Sequence, residues 1–335
     1  MQTVKREGVL LRTTDLYFEN VGVMNPGVFQ DGNTVHLFYR GMRAGGRSVI
    51  GYCKLDGPLT VSYRATEPLI VPEFLYEAHG VEDARIVKIE NTWYLTYTAW
   101  DGWFARGALA TSIDLFSFYK KGPLFPRWTY EEFYAYAGRA NVSDRYFSSE
   151  FTADLPLWFK NVVFFPRRIN GKLFFLHRIR PGILIAGIEE LHLLDEDFWK
   201  GYVGEMGRHI LLSPEYVHES HLLGAGCPPI ETAEGWLLIY HSIGESEGCY
   251  YYFACAALLD LDDPRKVIGR LTYPLLSAEE PWERYGNMCD VVFPTGSALF
   301  GDKLYIYYGA GDSCVGAFSV DINELLDELT HLGLR

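Results

Sequence analysis

The stretch His36-Leu37-Phe38-Tyr39-Arg40-Gly41, entered through Asp31-Gly32-Asn33, decides the fold because it recurs. It reads as a strand, and the residues before it suit a tight hairpin turn. Segments of the same shape lie at 94–99, 174–179, 237–242 and 304–309, after the turns Glu90-Asn91, Asn170-Gly171, Glu234-Gly235 and Gly301-Asp302. A short strand precedes each turn, at 25–29, 83–89, 161–167, 227–231 and 290–300, and a further strand follows each recurring segment. Taking Tyr39, Tyr97, His177, Tyr240 and Tyr307 as equivalent anchors, five such meanders consume the 335 residues. A meander covers one face poorly, and radial packing around an axis covers both without long open edges. The expected fold is all-β, a five-bladed β-propeller filling the chain as one domain. Its longest interval holds a partly helical insertion at 129–157. A carboxy-terminal helix at about 322–332, capped by Asp321, packs outside.

Hydrophobic residues make up 48% of the chain and charged residues 22%, which excludes disorder, while 16% aromatic residues favour strands and a ring-stacking surface. A formal net charge of −13 without a Lys/Arg-rich block argues against nucleic acid and anionic membrane as partners. Residues 1–15 carry Lys5, Arg6 and Glu7 and lack the apolar run of a signal peptide, and no run approaches a membrane span, so the expected compartment is cytoplasmic. Six cysteines without CxxC spacing are expected to be buried thiols. His218-Glu219-Ser220-His221 lacks the HExxH spacing, and no metal is expected. The Gly-Ala-Gly pieces at 224–226 and 309–311 lack a phosphate-binding helix, so no dinucleotide is expected.

Inner strands of a propeller point at a shared axis, so polar residues on them converge from distant parts of the chain. Asn25, Glu82-Asp83 with Arg85, Lys160-Asn161 and Asp290 are residues of this kind. The position after each anchor, Arg40, Thr98, Arg178, His241 and Tyr308, forms a second ring in which three residues are basic or potentially so. Burying such charges without partners is costly, so they pair with one another or with a ligand. Carboxylates are the only plausible catalytic acids, and an aromatic funnel with carboxylates and arginines suggests sugar chemistry.

Asn25-Pro26, Phe38-Tyr39-Arg40-Gly41, Gly80-Val81-Glu82-Asp83-Ala84-Arg85-Ile86, Gly226-Cys227-Pro228-Pro229, Val292-Phe293-Pro294-Thr295-Gly296 and Tyr307-Tyr308-Gly309-Ala310-Gly311-Asp312 follow one another in a recognisable order. In these motifs the chain resembles glycoside hydrolase family 130, the β-mannoside phosphorylases and related β-mannosidases, over nearly its whole length. The resemblance implies a five-bladed propeller and inversion of configuration. It implies that Asp83 is the general acid, relaying a proton through the 3-hydroxyl of the bound mannose. It also implies that Asn25, Arg40 and Asp312 hold the mannosyl unit, with Arg85 of the same motif in the substrate-binding set.

Carried over from the phosphorylases, the phosphate positions fall at Lys160, Arg178, Leu222 and His241. Leu222 stands where a lysine is expected, and Lys160 where arginine is common. That loss of charge should weaken phosphate binding. Glu219, three residues earlier, could activate water instead, with Glu215 a weaker rival. The reading favoured at this stage is an inverting hydrolase of β-1,2-linked manno-oligosaccharides with Asp83 as acid, Glu219 as base and no cofactor. Its alternatives are a mannoside phosphorylase with inorganic phosphate as co-substrate, and a non-catalytic sugar-binding propeller.

Overall fold

Each recurring segment is the second strand of a four-stranded antiparallel meander. In the first sheet Gly22–Asp31, Thr34–Met42, Ser48–Asp56 and Thr60–Arg64 follow one another from the axis outwards. The second consists of Gly80–Ile89, Thr92–Trp100, Ala105–Ser112 and Tyr119–Pro123. Lys160–Phe164, Leu173–Ile179, Gly182–Ile188 and Ile210–Leu212 form the third. The fourth is built on the long hairpin Trp236–Ser246 and Cys249–Leu259, with Leu222–Ala225 and Ile230–Glu231 inside it and Val267–Arg270 outside. These sheets are blades of a five-bladed propeller. The computed structural model describes residues 3–139, 142–147 and 152–333, so positions 140–141 and 148–151 of the expected insertion lie outside the described residues.

The fifth blade takes strands from both ends of the chain. Val292–Phe300, Lys303–Ala310 and Cys314–Asp321 are joined by Lys5–Leu11, which pairs antiparallel with the last of them. The amino-terminal segment, read from the sequence only for its charges and its lack of an apolar run, therefore closes the ring.

The core lies between blades, which is why the strands are apolar on both faces. Val163, Leu176 and Ile185 of the third blade pack with Leu223, Leu238 and Ala257 of the fourth. Leu237 and Ile306 join the fourth to the fifth, beneath Leu325 and Leu329 of the helix Ile322–Gly333. That helix begins as expected: Asp321 Oδ1 accepts from the N–H groups of Asn323 and Glu324 at 2.9 and 3.1 Å. The insertion opens with the helix Tyr130–Tyr136, capped by Thr129. A further helix, Glu196–Gly204, was not anticipated; Asp195 caps it and the fully buried Trp199 anchors it to the Leu124 carbonyl at 2.8 Å. The cysteine expectation needs amending: Cys249 and Cys289 are exposed, and the other four are buried.

Four blades share a buried lock of glutamate, tyrosine and cation. In the first, Tyr39 Oη donates to Glu19 at 2.5 Å while Arg64 lies 2.9 Å from the same carboxylate. In the second, Tyr97 donates to Glu77 at 2.8 Å and Lys120 also binds that carboxylate. In the fourth, Tyr240 donates to Glu219 at 2.9 Å and Arg270 clamps it. In the fifth, Tyr308 donates to Glu283 at 2.7 Å and Arg6, from the amino-terminal strand, lies at 3.1 Å. All four carboxylates are fully buried. Each lock ties the loop entering a blade to its second and outermost strands. The third blade differs, with His177 Nε2 and Tyr202 Oη 2.8 Å apart instead.

The lock also corrects a register. Tyr308, rather than Tyr307, is the fifth anchor; Tyr307 turns the other way and donates to the Pro58 carbonyl at 2.9 Å. The ring position after the anchor is therefore Gly309, not Tyr308.

Candidate active site

Three inner strands carry the same irregularity. Pairing slips between Met24 and Gly27, between Glu82 and Arg85, and between Lys160 and Val163. Inside these slips Asn25, Asp83 and Asn161 adopt φ of 50°, 53° and 56°. Asn and Asp tolerate this left-handed region better than other side chains, and a bulge re-aims a side chain out of the alternating pattern. Such strain costs about 1–3 kcal/mol per residue and is retained where the surroundings over-determine it.

The three bulges converge. Asn25 Nδ2 donates to Asp83 Oδ1 at 2.8 Å. Arg40 Nη1 lies 3.5 Å from the same oxygen, while its Nη2 donates to Glu82 Oε1 at 2.8 Å and its Nε to Ser48 Oγ at 2.7 Å. Gly309 supplies the space: a Cβ there would collide with Asn25 Oδ1.

A cavity of about 180 Å³ opens over this cluster. Asn25, Arg40, Asp83 and Asp312 line it from the first, second and fifth blades. Lys160, Asn161, Arg178 and Arg180 line it from the third, and Leu222, Ile243 and Tyr252 from the fourth. Of the expected residues, Asn25, Arg40, Asp83, Lys160, Arg178 and Asp312 thus share one hollow.

Its electrostatics are divided. Burial would raise the Asp83 carboxyl, but Arg40, Lys160 and Arg85, with the Asn25 hydrogen bond, outweigh it and hold the group below its ordinary value. Asp312 goes the other way: burial, helped by Asp83 and Glu82 against Arg40, pushes it up to about 6. Burial and then the adjacent Arg180 push Arg178 down to about 10, and burial lowers Lys160 although Glu82 and Asp83 oppose it. Arg40 remains raised despite burial, because Glu82, Asp83 and Asp312 surround it.

Three expected site residues do not line the cavity. Arg85 is buried behind it, donating from Nε to the Gly226 carbonyl at 2.5 Å and from Nη1 to the Asp83 carbonyl at 2.8 Å. It pins the backbone of the Asp83 bulge to the fourth blade, so its direct contacts are with protein rather than sugar. His241 is fully buried against Phe293, with ring centroids 4.3 Å apart. Desolvation first, then Arg178, Arg85 and Lys160, hold it well below its ordinary value, which disfavours the imidazolium form.

Glu219 overturns the expected water activation. It is fully buried in the fourth blade's lock: Arg270 Nη2 donates to both carboxylate oxygens at 2.7 Å, Tyr240 donates to Oε1, and the N–H groups of Glu215 and Tyr216 donate to Oε2 at 2.8 and 3.1 Å. A carboxylate so occupied has no lone pair to offer water. Glu215 does not line the cavity either; its carboxylate lies 3.3 Å from Arg270. Among the described residues His218, Glu219 and Cys255 bring possible metal-ligand atoms within 4.8 Å of one another, but the arginine on Glu219 supplies the positive charge a metal would.

Arg180 and Tyr252 were not anticipated. Arg180 stands in the turn just past the strand Leu173–Ile179 that carries Arg178, and both line the cavity. Neither arginine has a carboxylate within 4.0 Å among the described residues, whereas Arg40 is committed to Glu82 and Asp83.

Comparison with known proteins gives the family and the fold. The sequence profile of glycoside hydrolase family 130, described as beta-1,4-mannooligosaccharide phosphorylase, matches residues 5–331. The 1,2-beta-oligomannan phosphorylase of Thermoanaerobacter sp. (strain X514) is 31% identical over 327 residues, covering 95% of this chain and 96% of that protein. A beta-1,2-mannobiose phosphorylase of the same organism is 32% identical over 321 residues, covering 91% of each. The solved structure of beta-1,2-mannobiose phosphorylase from Listeria innocua in complex with beta-1,2-mannobiose superposes with a TM-score of 0.73 at 23% identity, covering 98% of this chain and 99% of that one.

Proposed function

From the premise that this chain belongs to glycoside hydrolase family 130, we propose that it is a β-mannoside phosphorylase, cleaving β-1,2-linked manno-oligosaccharides with inorganic phosphate and releasing mannose 1-phosphate. The observation that carries this reading is the basic cluster beside Asp83. Among the described residues no carboxylate lies within 4.0 Å of Arg178 or Arg180, and both stand with Lys160 in one cavity. Arg178 is buried, and a desolvated guanidinium is costly unless an anion offsets it, while a guanidinium fork suits a phosphate oxygen pair. Arg180 makes up for the lysine that Leu222 lacks. The names of the relatives above 30% identity support the same choice, and the hydrolytic alternative has lost its base.

In this reading Asn25, Arg40 and Asp312 hold the mannosyl unit. A phosphate oxygen attacks the anomeric carbon from the face opposite the glycosidic oxygen. The carbon–oxygen bond to the leaving sugar breaks with inversion, and that oxygen takes up a proton that originates on Asp83 and passes through the 3-hydroxyl. No cofactor takes part. An acid held low is poorly suited to give up a proton it seldom carries. Phosphate answers this, because its charge beside Lys160 offsets one of the cations that depress Asp83 and so raises its proton affinity when the nucleophile is present. The test is turnover of β-1,2-mannobiose as phosphate is titrated from zero. A rate that saturates with phosphate and vanishes without it is expected; a phosphate-independent rate contradicts the reading.

A further inference from the structure

A cavity of about 500 Å³ lies between the first blade and the loop that enters the second. It shares no lining residue with the catalytic cavity. Arg43 and Arg47 line it from opposite sides of the turn that joins Thr34–Met42 to Ser48–Asp56. The Arg43 N–H donates to the Arg47 carbonyl and the Gly46 N–H to the Arg43 carbonyl, both at 3.1 Å, and Gly45 and Gly46 adopt φ of 88° and 73° so that the chain can reverse there.

Like charges set opposite one another across a hairpin repel. The chain has 43 acidic residues, yet among the described residues none brings a carboxylate within 4.0 Å of either arginine, whereas Arg40 and Arg64 of the same blade are paired with Glu82 and Glu19. An anion accepting from both guanidiniums removes the repulsion, and their planar forks suit the oxygens of a phosphoryl group.

The remaining walls describe what that group is attached to. Tyr17 is fixed by its Oη, which donates to Glu67 at 3.0 Å, and by the buried Phe18, whose ring meets its own edge to face at 5.6 Å. Phe74 is stacked on Tyr76 with centroids 5.2 Å apart. Exposed rings held in place beside a hollow of this size mark a small-molecule site, and the C–H face of a pyranose packs against such rings. Glu73 also lines the cavity, its side chain 57% exposed. A carboxylate there repels a bare phosphate ion but accepts hydrogen bonds from sugar hydroxyls.

We propose that this cavity is a second ligand site, separate from the catalytic one, that takes a phosphorylated monosaccharide, with the phosphoryl group on Arg43 and Arg47 and the sugar against Tyr17, Phe74 and Glu73. Ser48 links it to the catalytic cavity. It lines the second site, its Oγ accepts from Arg40 Nε at 2.7 Å, and it pairs with Gly80 at the head of the strand that carries Asp83. An occupant therefore bears on the residue that holds Arg40 in place, and binding at the two sites is coupled. The site does not depend on which nucleophile the catalytic cavity uses.

The test is calorimetric titration of mannose 6-phosphate and of mannose 1-phosphate into the wild type, the double variant Arg43→Gln/Arg47→Gln, and Arg180→Gln as a control in the catalytic cavity. The double variant should bind at least one of the two at least tenfold more weakly, the worth of a lost charge-assisted hydrogen bond, while Arg180→Gln leaves that affinity within about twofold. Preference for mannose 1-phosphate would make the ligand the product of the proposed phosphorolysis, and preference for mannose 6-phosphate would make it a sugar phosphate from another reaction. Inorganic phosphate and mannose should each compete at least tenfold more weakly than the preferred sugar phosphate. That sugar phosphate should also shift the KM for β-1,2-mannobiose at least twofold with kcat held, and the double variant should keep the basal rate and lose the shift. Affinity unmoved by the double variant, affinity lost in Arg180→Gln alone, or inorganic phosphate competing as well as the sugar phosphates overturns the proposal. Absence of any turnover of β-1,2-mannobiose would contradict the proposed function instead, with the titrations still readable.

Discussion

Arg270 holds both carboxylate oxygens of Glu219 at 2.7 Å within the fourth blade, and the same arrangement of acid, tyrosine and cation recurs at Glu19, Glu77 and Glu283. Repetition separates structure from chemistry here. A catalytic base occurs once in a fold, whereas a blade lock occurs wherever a blade must be closed.

Glu219→Gln should therefore damage stability more than catalysis. Removing one member of a buried charge pair costs about 3–5 kcal/mol, because the other is left desolvated and unpaired. Denaturant unfolding should show a loss of that order, and the remaining folded enzyme should keep kcat within a few-fold. Unchanged stability with turnover abolished would restore Glu219 as a base.

Arg6→Met tests closure of the ring. Its side chain is 19% exposed and donates to Glu283, and its Nη2 donates to the Ser277 carbonyl at 2.7 Å. Partial solvent screening lowers the expected loss to about 2 kcal/mol. Hydrogen exchange should quicken first at 5–11 and 314–321, the strands that pair across the closure. Uniform or absent acceleration would deny the strand its closing role.

Asp83→Asn should lower kcat by about 10²–10⁴, the usual worth of a general acid. It should also lower KM for phosphate, because it removes a negative charge near Lys160 and Arg178 without removing a cation. Higher phosphate KM with kcat preserved would contradict both expectations.

Asp312 predicts a pH dependence of stability. Its folded value of about 6 lies above the 3.8 of an unperturbed aspartate. An acid raised by folding costs nothing while protonated in both states. Its penalty therefore grows as pH rises from about 3.8 to about 6 and is constant above that. Asp312→Asn should raise Tm at pH 7.5 and do so less at pH 4. An equal effect at both values would remove the proposed perturbation.

Much of the architecture was legible in the chain because every blade's second strand, such as His36–Gly41, is strongly patterned and follows a turn. The closing strand was not, since Lys5–Leu11 finds its partner near the other end of the chain. In the fifth blade Tyr307 and Tyr308 are adjacent aromatics, and a one-residue slip exchanges the two faces of a strand. Asn25, Arg40, Asp83 and Asp312 were identified through motifs. The locks had a signal that went unused: Pro72-Glu73-Phe74-Leu75-Tyr76-Glu77 and Pro214-Glu215-Tyr216-Val217-His218-Glu219 share the pattern Pro-Glu-x-x-x-Glu. Comparison between blades would have made Glu219 structural. Arg180 is different, because which basic residues lack partners is a property of the assembled cavity.

The most direct measurement is the fate of solvent oxygen. β-1,2-Mannobiose digested in ¹⁸O-labelled water with unlabelled phosphate should yield α-mannose 1-phosphate carrying no label, seen by ³¹P NMR and mass spectrometry, in amounts matching the mannose released as leaving group. Label entering mannose at the anomeric oxygen in step with bond cleavage, with no phosphate ester formed, would show water to be the nucleophile and contradict the account.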